Sequence, residues 1–397
     1  MSTNKHIYLC LAKMSDTGME QKYIQEAFDT NWVVPLGPNV NGFERDIEEY
    51  LRDKRKVVAL SSCTAALHLA LMLLGVGRDD EVMCQDLSFI ASSNPVTYCG
   101  AKPVFIDSDP DTWNMDPELL EKAINDRMSV TGRKPKAIIV VDLYGMPAKW
   151  DELSAISKRY GIPIIEDAAN AMGSFYRGDL CGLFGNIATF SFNGNKIITT
   201  SGGGALLCDT PETKQKTVFL STQARENCPY YQHEVVGYNY RMSNICAGIG
   251  RGQMTVLEDH VRHHKHVHDM YAVLLGAIDG IVVHDNPSAK FNSNFWLTTI
   301  TIAPSIKVKG QECHRLLCSD CEPNPNVEAL RVFLDQKGIE ARPLWKPMHK
   351  QPVYKDAPSY VNGVSEALFK VGMCLPSGPY VSDEDVRYIV DSIKEAL

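Results

Sequence analysis

Residues 57–68 run Val-Val-Ala-Leu-Ser-Ser-Cys-Thr-Ala-Ala-Leu-His: an apolar stretch, then small polar residues, then helix formers. The four apolar residues predict a buried strand at 57–60. The small residues mark a tight junction, and the spacing beyond it predicts a helix over 64–74. A strand that turns directly into a helix is the unit from which α/β folds are built.

The same alternation extends outward through the first two thirds of the chain. Further short apolar runs predict buried strands at 81–84, 103–106, 137–141, 162–165, 187–192 and 204–208. Helical spacing predicts helices at 117–124 and 149–160. Strands that alternate with helices form a mostly parallel sheet with helices on both faces. We therefore expect a large α/β domain over residues 1–241.

From residue 242 the pattern changes, and a long polar helix is predicted over 242–275. A strand and two helices are then predicted at 296–302, 327–337 and 383–397. We interpret residues 242–397 as a connecting helix and a smaller α+β domain. Residues 310–326 lack periodicity, which favours a loop or an insertion.

Composition excludes several classes of function. The formal net charge of −8 argues against nucleic acid as the main partner, because phosphate backbones are bound by clustered Lys and Arg. No stretch has the roughly 20 apolar residues of a membrane helix, and the apolar patch at 7–12 is too short for a signal peptide. We expect a cytoplasmic protein whose twelve cysteines are reduced.

The junction at 61–68 is a candidate phosphate site. Free backbone N–H groups and the positive end of the helix dipole suit an anion there. Ser and Thr also start many helices without binding a ligand, so a plain N-cap is the alternative.

The stretch 164–169, Ile-Ile-Glu-Asp-Ala-Ala, delivers two acids at the end of a predicted strand. Ligands of open α/β sheets bind at that end. A buried carboxylate needs a charged or hydrogen-bonded partner to stay ionised, and a pyridinium nitrogen is one such partner. A carboxylate that caps the next turn is the structural alternative.

Lys196 lies between the apolar strand at 187–192 and the glycines of Ser201-Gly202-Gly203-Gly204. A lysine in such surroundings has its pKa shifted or its charge removed, and a Schiff base removes the charge. A surface lysine in a glycine turn is the alternative. The aromatic and polar cluster Gly-Tyr-Asn-Tyr-Arg-Met at 237–242 completes the set.

Taken together, these segments resemble the DegT-type nucleotide-sugar aminotransferases, which are fold-type I enzymes that use pyridoxal 5′-phosphate (PLP). The similarity is carried by Ser-x-Thr-Ala-Ala-Leu-His, Glu-Asp-Ala-Ala, Ser-Phe-x-x-x-Lys-x-x-Thr-Thr and Gly-Tyr-Asn-Tyr-Arg-Met, and also by residues 32–43, 141–147 and 342–349. It implies an aspartate-aminotransferase-like fold with PLP as cofactor and pyridoxamine phosphate as its intermediate form.

The resemblance also implies a role for single residues. Lys196 is the Schiff-base lysine and Asp167 pairs with the pyridinium nitrogen. Phe89 stacks on the ring, while the phosphate is held by Thr64, Ala65 and Ser191, and by Asn239 of the neighbouring subunit of a homodimer. Arg342 and His349 lie in the segment that borders the sugar nucleotide in relatives.

Some positions depart from the family pattern. Cys63 replaces the usual Gly, Asn170 stands where relatives carry His or Gln, and Ser201 begins a stretch that is commonly Gly-Glu-Gly-Gly. With Asn-Gly-Asn at 193–195, the chain looks like the subgroup that aminates UDP-linked 4-keto-6-deoxy-N-acetyl sugars with L-glutamate, the N-acetylbacillosamine type. A GDP- or dTDP-linked sugar, a pyridoxamine-dependent sugar dehydratase and a non-catalytic PLP-binding regulator are the alternatives.

A histidine cluster and a cysteine cluster have spacings that could suit a metal, but we interpret neither as a metal site. His260, His264 and His268 share one face of the predicted long helix, and we expect that face to be solvated. Cys313, Cys318 and Cys321 lie in the variable segment at 310–326, where one short cluster is weak evidence for zinc.

Overall fold

A computed structural model describes residues 6–313 and 321–397. The helices are α1 (Met19–Asp29), α2 (Pro38–Tyr50), α3 (Cys63–Leu73), α4 (Asn94–Tyr98), α5 (Pro117–Thr131), α6 (Trp150–Tyr160), α7 (Pro211–Ser221), α8 (Asn244–Met254), α9 (Leu257–Leu275), α10 (Pro325–Gln336), α11 (Val364–Val371) and α12 (Asp383–Ala396). The strands are β1 (Lys56–Leu60), β2 (Glu81–Gln85), β3 (Lys102–Ile106), β4 (Ala137–Val141), β5 (Ile164–Asp167), β6 (Phe175–Tyr176), β7 (Asp179–Leu180), β8 (Ile187–Ser191), β9 (Gly204–Cys208), β10 (Ile281–Val283), β11 (Phe291–Asn292), β12 (Thr298–Ile302), β13 (Arg342–Pro343), β14 (Ser359–Tyr360) and β15 (Gly372–Leu375).

The large sheet has the order β1-β9-β8-β5-β4-β2-β3-β14. Only β9 runs against its neighbours, so the predicted mostly parallel α/β sheet is confirmed. The strands β1, β2, β4 and β5 are almost wholly buried, which explains why each one is built around a short apolar run. The strand predicted at 162–165 begins two residues later, after Pro163, which has no N–H to donate to a ladder.

A second sheet, of order β10-β12-β15-β13, is antiparallel. Its core is shared with α9, α10 and α12 and includes Tyr271, Ile300, Leu330 and Ile389. Ile7 forms a bridge with Ile339 of the C-terminal part, and β14 extends the large sheet. An N-terminal residue thus pairs with the C-terminal part, and a C-terminal strand joins the large sheet. The predicted division into two domains after residue 241 therefore stays a prediction.

The helix predicted over 242–275 is wrong as one element. It is two helices, α8 and α9, separated at Thr255 and Val256. There the backbone N–H groups bond three residues back instead of four, and Val256 has φ −119° and ψ 6°. The glycines of α8 allow close packing against α1, since a Cβ on Gly252 would lie 2.6 Å from the Glu20 backbone nitrogen.

The prediction that the histidine face of the long helix is solvated is also wrong. His260, His264 and His268 are all buried on the inner side of α9, and His268 stacks on Phe295 with ring centroids 3.5 Å apart. A neutral imidazole is apolar enough to pack in a core, so helical spacing alone does not tell an inner histidine face from an outer one.

The segment predicted as a loop at 310–326 is described only in part. A short 3-10 turn covers Gln311–Cys313 and α10 already begins at Pro325. His314 and Cys318 lie outside the described residues, whereas Cys313 is exposed and Cys321 is buried. Among the described residues, no helix is both long and apolar enough to cross a membrane.

Candidate active site

One pocket of about 960 Å³ opens where β1, β2, β5 and β8 end. These four strands run in the same direction, so their C-terminal loops meet at one edge of the sheet. Six residues predicted from the sequence line this pocket, namely Thr64, Phe89, Asp167, Ser191, Lys196 and Arg342.

Lys196 follows β8 and brings its amine to the pocket floor. The Nζ atom donates a hydrogen bond to Asn170 Oδ1 at 2.5 Å and lies 4.2 Å from the centre of the Trp296 ring. Desolvation lowers the pKa of Lys196 to about 8, although the nearby Cys63 and Asp167 act in the opposite direction. An amine with a pKa near 8 is largely available as a nucleophile and base in mildly alkaline solution.

Asp167 ends β5 and is 3% exposed. Its Oδ2 atom accepts a hydrogen bond from Ser92 Oγ at 2.6 Å, and its Oδ1 atom accepts one from the Ala169 N–H at 3.1 Å. Burial nevertheless raises the pKa of the Asp167 carboxyl, because these two donors and the Lys196 charge only partly offset the desolvation. This side chain needs a cationic donor to stay ionised.

The pair fits PLP. A protonated pyridine nitrogen would supply the cationic donor that Asp167 lacks, and a carbonyl carbon is the natural target of the Lys196 amine. Phe89 adds an aromatic surface to the pocket, with its ring 54% exposed and 5.5 Å from the Trp345 ring. The side chains present therefore suit a flat, charged, aldehyde-bearing ring.

The start of α3 forms the predicted phosphate end. Ser62 caps the helix, and its Oγ accepts the Ala65 N–H at 3.0 Å. The Ala65 N–H, which was predicted to bind the phosphate, thus already donates to the Ser62 side chain. Thr64, in contrast, lines the pocket. Gly204 lets β9 approach this turn closely, since a Cβ there would lie 2.3 Å from the Cys63 nitrogen.

The two candidate substrate residues differ. Arg342 lines the pocket and forms a 2.9 Å ion pair with Glu340. His349 instead places its two ring nitrogens on carboxylates, Asp86 at 2.7 Å and Glu366 at 3.1 Å. Burial lowers the pKa of His349, but these two acids outweigh it and raise the pKa. Because both ring nitrogens are already bonded, His349 suits a structural role better than substrate binding.

Asn239 is exposed and is held next to Thr222 by an isolated β-bridge. It lies outside the described residues that line this chain's own pocket. Its predicted role toward a neighbouring subunit stays a prediction, since the structure is a single chain.

Sequence reasoning missed Trp296 and Trp345, which line the pocket from the C-terminal part of the chain. Trp296 is the first residue of a predicted strand, and its indole N–H donates to the Asn195 carbonyl at 2.6 Å. Its position beside a lysine loop 100 residues away is set by tertiary packing. Asn170 was noted only as a departure from a pattern, yet it contacts the lysine amine.

Comparison with known proteins places the chain in a family. Residues 15–394 match the DegT/DnrJ/EryC1/StrS aminotransferase family. EpsN of Bacillus subtilis (strain 168), whose name describes a pyridoxal phosphate-dependent aminotransferase, is 44% identical over 392 residues, which cover 98% of this chain and 95% of EpsN. The GDP-perosamine synthase of Escherichia coli O157:H7 is 34% identical over 388 residues, 98% of each chain.

Solved structures give the same result. A crystal structure of a DegT DnrJ EryC1 StrS aminotransferase from Brucella abortus matches with a TM-score of 0.85 and 29% identity, covering 96% of this chain and 95% of that one. The fold is thus that of PLP-dependent sugar aminotransferases. Since the family match spans nearly the whole sequence, the chain belongs to the DegT/DnrJ/EryC1/StrS aminotransferase family and is a PLP-dependent aminotransferase.

Proposed function

We propose that this aminotransferase transfers the amino group of L-glutamate to the C4 keto carbon of a nucleotide-linked 4-keto-6-deoxy sugar. The sugar is an N-acetyl sugar carried on UDP, and the product feeds the synthesis of a surface polysaccharide or other glycan. The observation that carries the proposal is the Lys196 amine and the Asp167 carboxylate on the floor of one pocket.

Lys196 is the proton carrier in this proposal. When bound, PLP supplies an electron sink for the Cα–H bond of the donor. The Nζ atom would take the proton from the Cα of glutamate and pass it on to the cofactor. In the second half of the cycle it would take a proton back from the cofactor and deliver it to the C4 carbon of the sugar. A pKa of about 8 is close to working pH, where a general base is most effective.

Asp167 keeps the ring nitrogen protonated. Its carboxylate is buried and oriented by Ser92 and Ala169, so it meets the cofactor with a fixed geometry. Thr64 and Ser191 hold the phosphate from the same chain, and Asn239 holds it from the second subunit of a homodimer.

The pocket volume of about 960 Å³ suits a cofactor together with a large substrate. The choice of UDP rests on the sequence departures at 193–195 and 201–204. A relative at 34% identity is named for a GDP sugar, so the nucleotide is the part of the proposal that most needs a direct test.

The test is a panel of 4-keto-6-deoxy sugars on UDP, GDP and dTDP, with and without the N-acetyl group. Each is incubated with the PLP-loaded protein and L-glutamate, and the amino sugar and 2-oxoglutarate are measured. We expect the UDP-linked N-acetyl sugar to have the highest kcat/KM. Lys196→Ala, which keeps the pocket but lacks the amine, should release no 2-oxoglutarate.

The other outcomes separate the alternatives. Preference for a GDP or dTDP sugar would overturn the nucleotide but keep the reaction. Loss of water from the sugar without use of glutamate would identify a dehydratase. Cofactor binding without turnover of any sugar would contradict the proposed reaction and favour a regulator.

A further inference from the structure

The free amine of Lys196 lies between two partners that come from different parts of the fold. Asn170, just after β5, accepts a hydrogen bond from Nζ at 2.5 Å. Trp296, just before β12, presents its ring face 4.2 Å from the same atom. A carbonyl oxygen and an aromatic face both stabilise an ammonium group, and they do so most strongly where water is excluded.

A third residue fixes both partners. Asn294 is fully buried; its side-chain N–H groups donate to the backbone carbonyl of Asn170 at 2.8 Å and to the backbone carbonyl of Met172 at 2.9 Å. Its Oδ1 atom accepts the backbone N–H of Trp296 at 2.8 Å, so that the Asn294 amide fixes the backbone at both partners. Gly145 leaves room for this amide, because a Cβ there would overlap Asn294 Oδ1. One amide thus ties both partners to the same framework.

The Trp296 ring is also fixed at its far end. Its Nε1–H donates to the carbonyl of Asn195, the residue before the lysine, at 2.6 Å. The ring therefore cannot turn away from Nζ without losing a hydrogen bond to the lysine loop itself. Such mutual fixing is what positions a mobile side chain between two steps of a reaction.

We propose that Asn170 and Trp296 are positioning residues that hold the Lys196 amine whenever it is not bonded to the cofactor, and that Asn294 sets their geometry. In a transaminase the lysine is released during each half-reaction and must wait next to the reacting carbon. Asn170 and Trp296, which together we call the lysine clamp, keep the amine within the pocket. They also favour its protonated form, which burial disfavours. This inference rests on Lys196 being the cofactor lysine of the proposed function.

The test measures the amine directly in the full-length protein freed of cofactor. Lysines are labelled with acetic anhydride at a series of pH values, and mass spectrometry of the Lys196 peptide gives the midpoint of its titration. The titratable groups that face Nζ are Asp167, Cys63 and Cys10, and they are unchanged in all variants. Exposed lysines in the same sample, such as Lys54, provide an internal standard.

We expect Trp296→Leu and Asn170→Ser each to lower the midpoint by about half a pH unit to one unit, because each removes one stabilising contact of the ammonium form. Trp296→Phe keeps a ring and should recover part of the shift. It also serves as the test if the leucine variant does not fold. Trp345→Leu is the matched control, since it removes a pocket aromatic that is 6.2 Å from the Trp296 ring and should leave the midpoint unchanged.

A second readout follows turnover. In the PLP-loaded enzyme, loss of either partner should lower kcat by about tenfold and leave the KM for the sugar within about twofold, because the clamp acts on the lysine and not on substrate binding. An unchanged labelling midpoint in both Trp296→Leu and Asn170→Ser would overturn the clamp. An equal shift in Trp345→Leu would also overturn it, since simple opening of the pocket would then be the cause. Failure of the proposed function would appear separately, as cofactor attachment to a lysine other than Lys196.

Discussion

At the scale of single residues, burial acts on the two central charges in opposite directions. It lowers the pKa of Lys196 to about 8, toward the neutral amine, and raises the pKa of Asp167, toward the neutral acid. Each side chain therefore holds its charge only through a partner. A cofactor that bonds the amine and offers a cation to the acid relieves both costs at once.

Asp167→Asn tests this at the residue scale. The amide has the shape of the acid and can keep the Ala169 contact, but it cannot hold a ring nitrogen protonated. We expect kcat to fall by about 100-fold or more, similar to the loss of one buried group that stabilises charge in a transition state. Steady-state kinetics with the preferred sugar measures this. Asp151→Asn, at an exposed position in α6, is the control, and equal activity of the two variants would contradict the role of Asp167.

At the scale of elements, the close contact between β9 and the start of α3 shapes the phosphate end of the pocket. Gly204→Ala would place a methyl group against the Cys63 backbone, which has no freedom to move aside. We expect a loss of about 1–3 kcal/mol in the free energy of unfolding, as for other overpacked sites, together with weaker PLP binding. Urea unfolding and cofactor titration measure the two effects. Wild-type PLP affinity in this variant would contradict the account of α3.

Helix α9 carries a second prediction at this scale. Burial, with the nearby His263 and His260, lowers the pKa of His264 to about 3. An unfolded histidine titrates near pH 6.5, so the unfolded state binds one more proton between about pH 6.5 and 3. The free energy of unfolding should therefore fall as the pH decreases across that window. In His264→Leu, the slope of the free energy of unfolding against pH should be smaller by about 1.4 kcal/mol per pH unit. Urea unfolding at pH 4.5–7 tests this, and an unchanged slope would contradict it.

The elements also show what the sequence could predict. Buried parallel strands are short apolar runs between turn residues, so their positions were predicted closely, and the lysine and acid at their ends with them. The inner face of α9 was not predicted, because periodicity gives which residues share a face but not what packs on it. Trp296 reaches Lys196 only through tertiary packing, and no local sequence pattern marks that approach.

At the scale of the whole molecule, the proposed role of Asn239 requires two subunits. Lys196→Ala and Asn239→Ala are each expected to be nearly inactive. In a mixed dimer, the site of the Asn239→Ala subunit has its own Lys196 and receives Asn239 from its partner, so it is intact. Random reassociation of equal amounts should then restore about a quarter of wild-type activity. No recovery after mixing, with exchange verified by native mass spectrometry, would place Asn239 in its own site or outside the site.

The most direct measurement concerns the bond between the chain and its cofactor. The PLP-loaded protein is reduced with borohydride, digested and mapped by mass spectrometry, and Lys196→Ala is treated in parallel. We predict one pyridoxyl group, on the peptide that contains Lys196, and none in the variant. A pyridoxyl group on another lysine, or an unmodified Lys196 in fully loaded protein, would contradict the central claim.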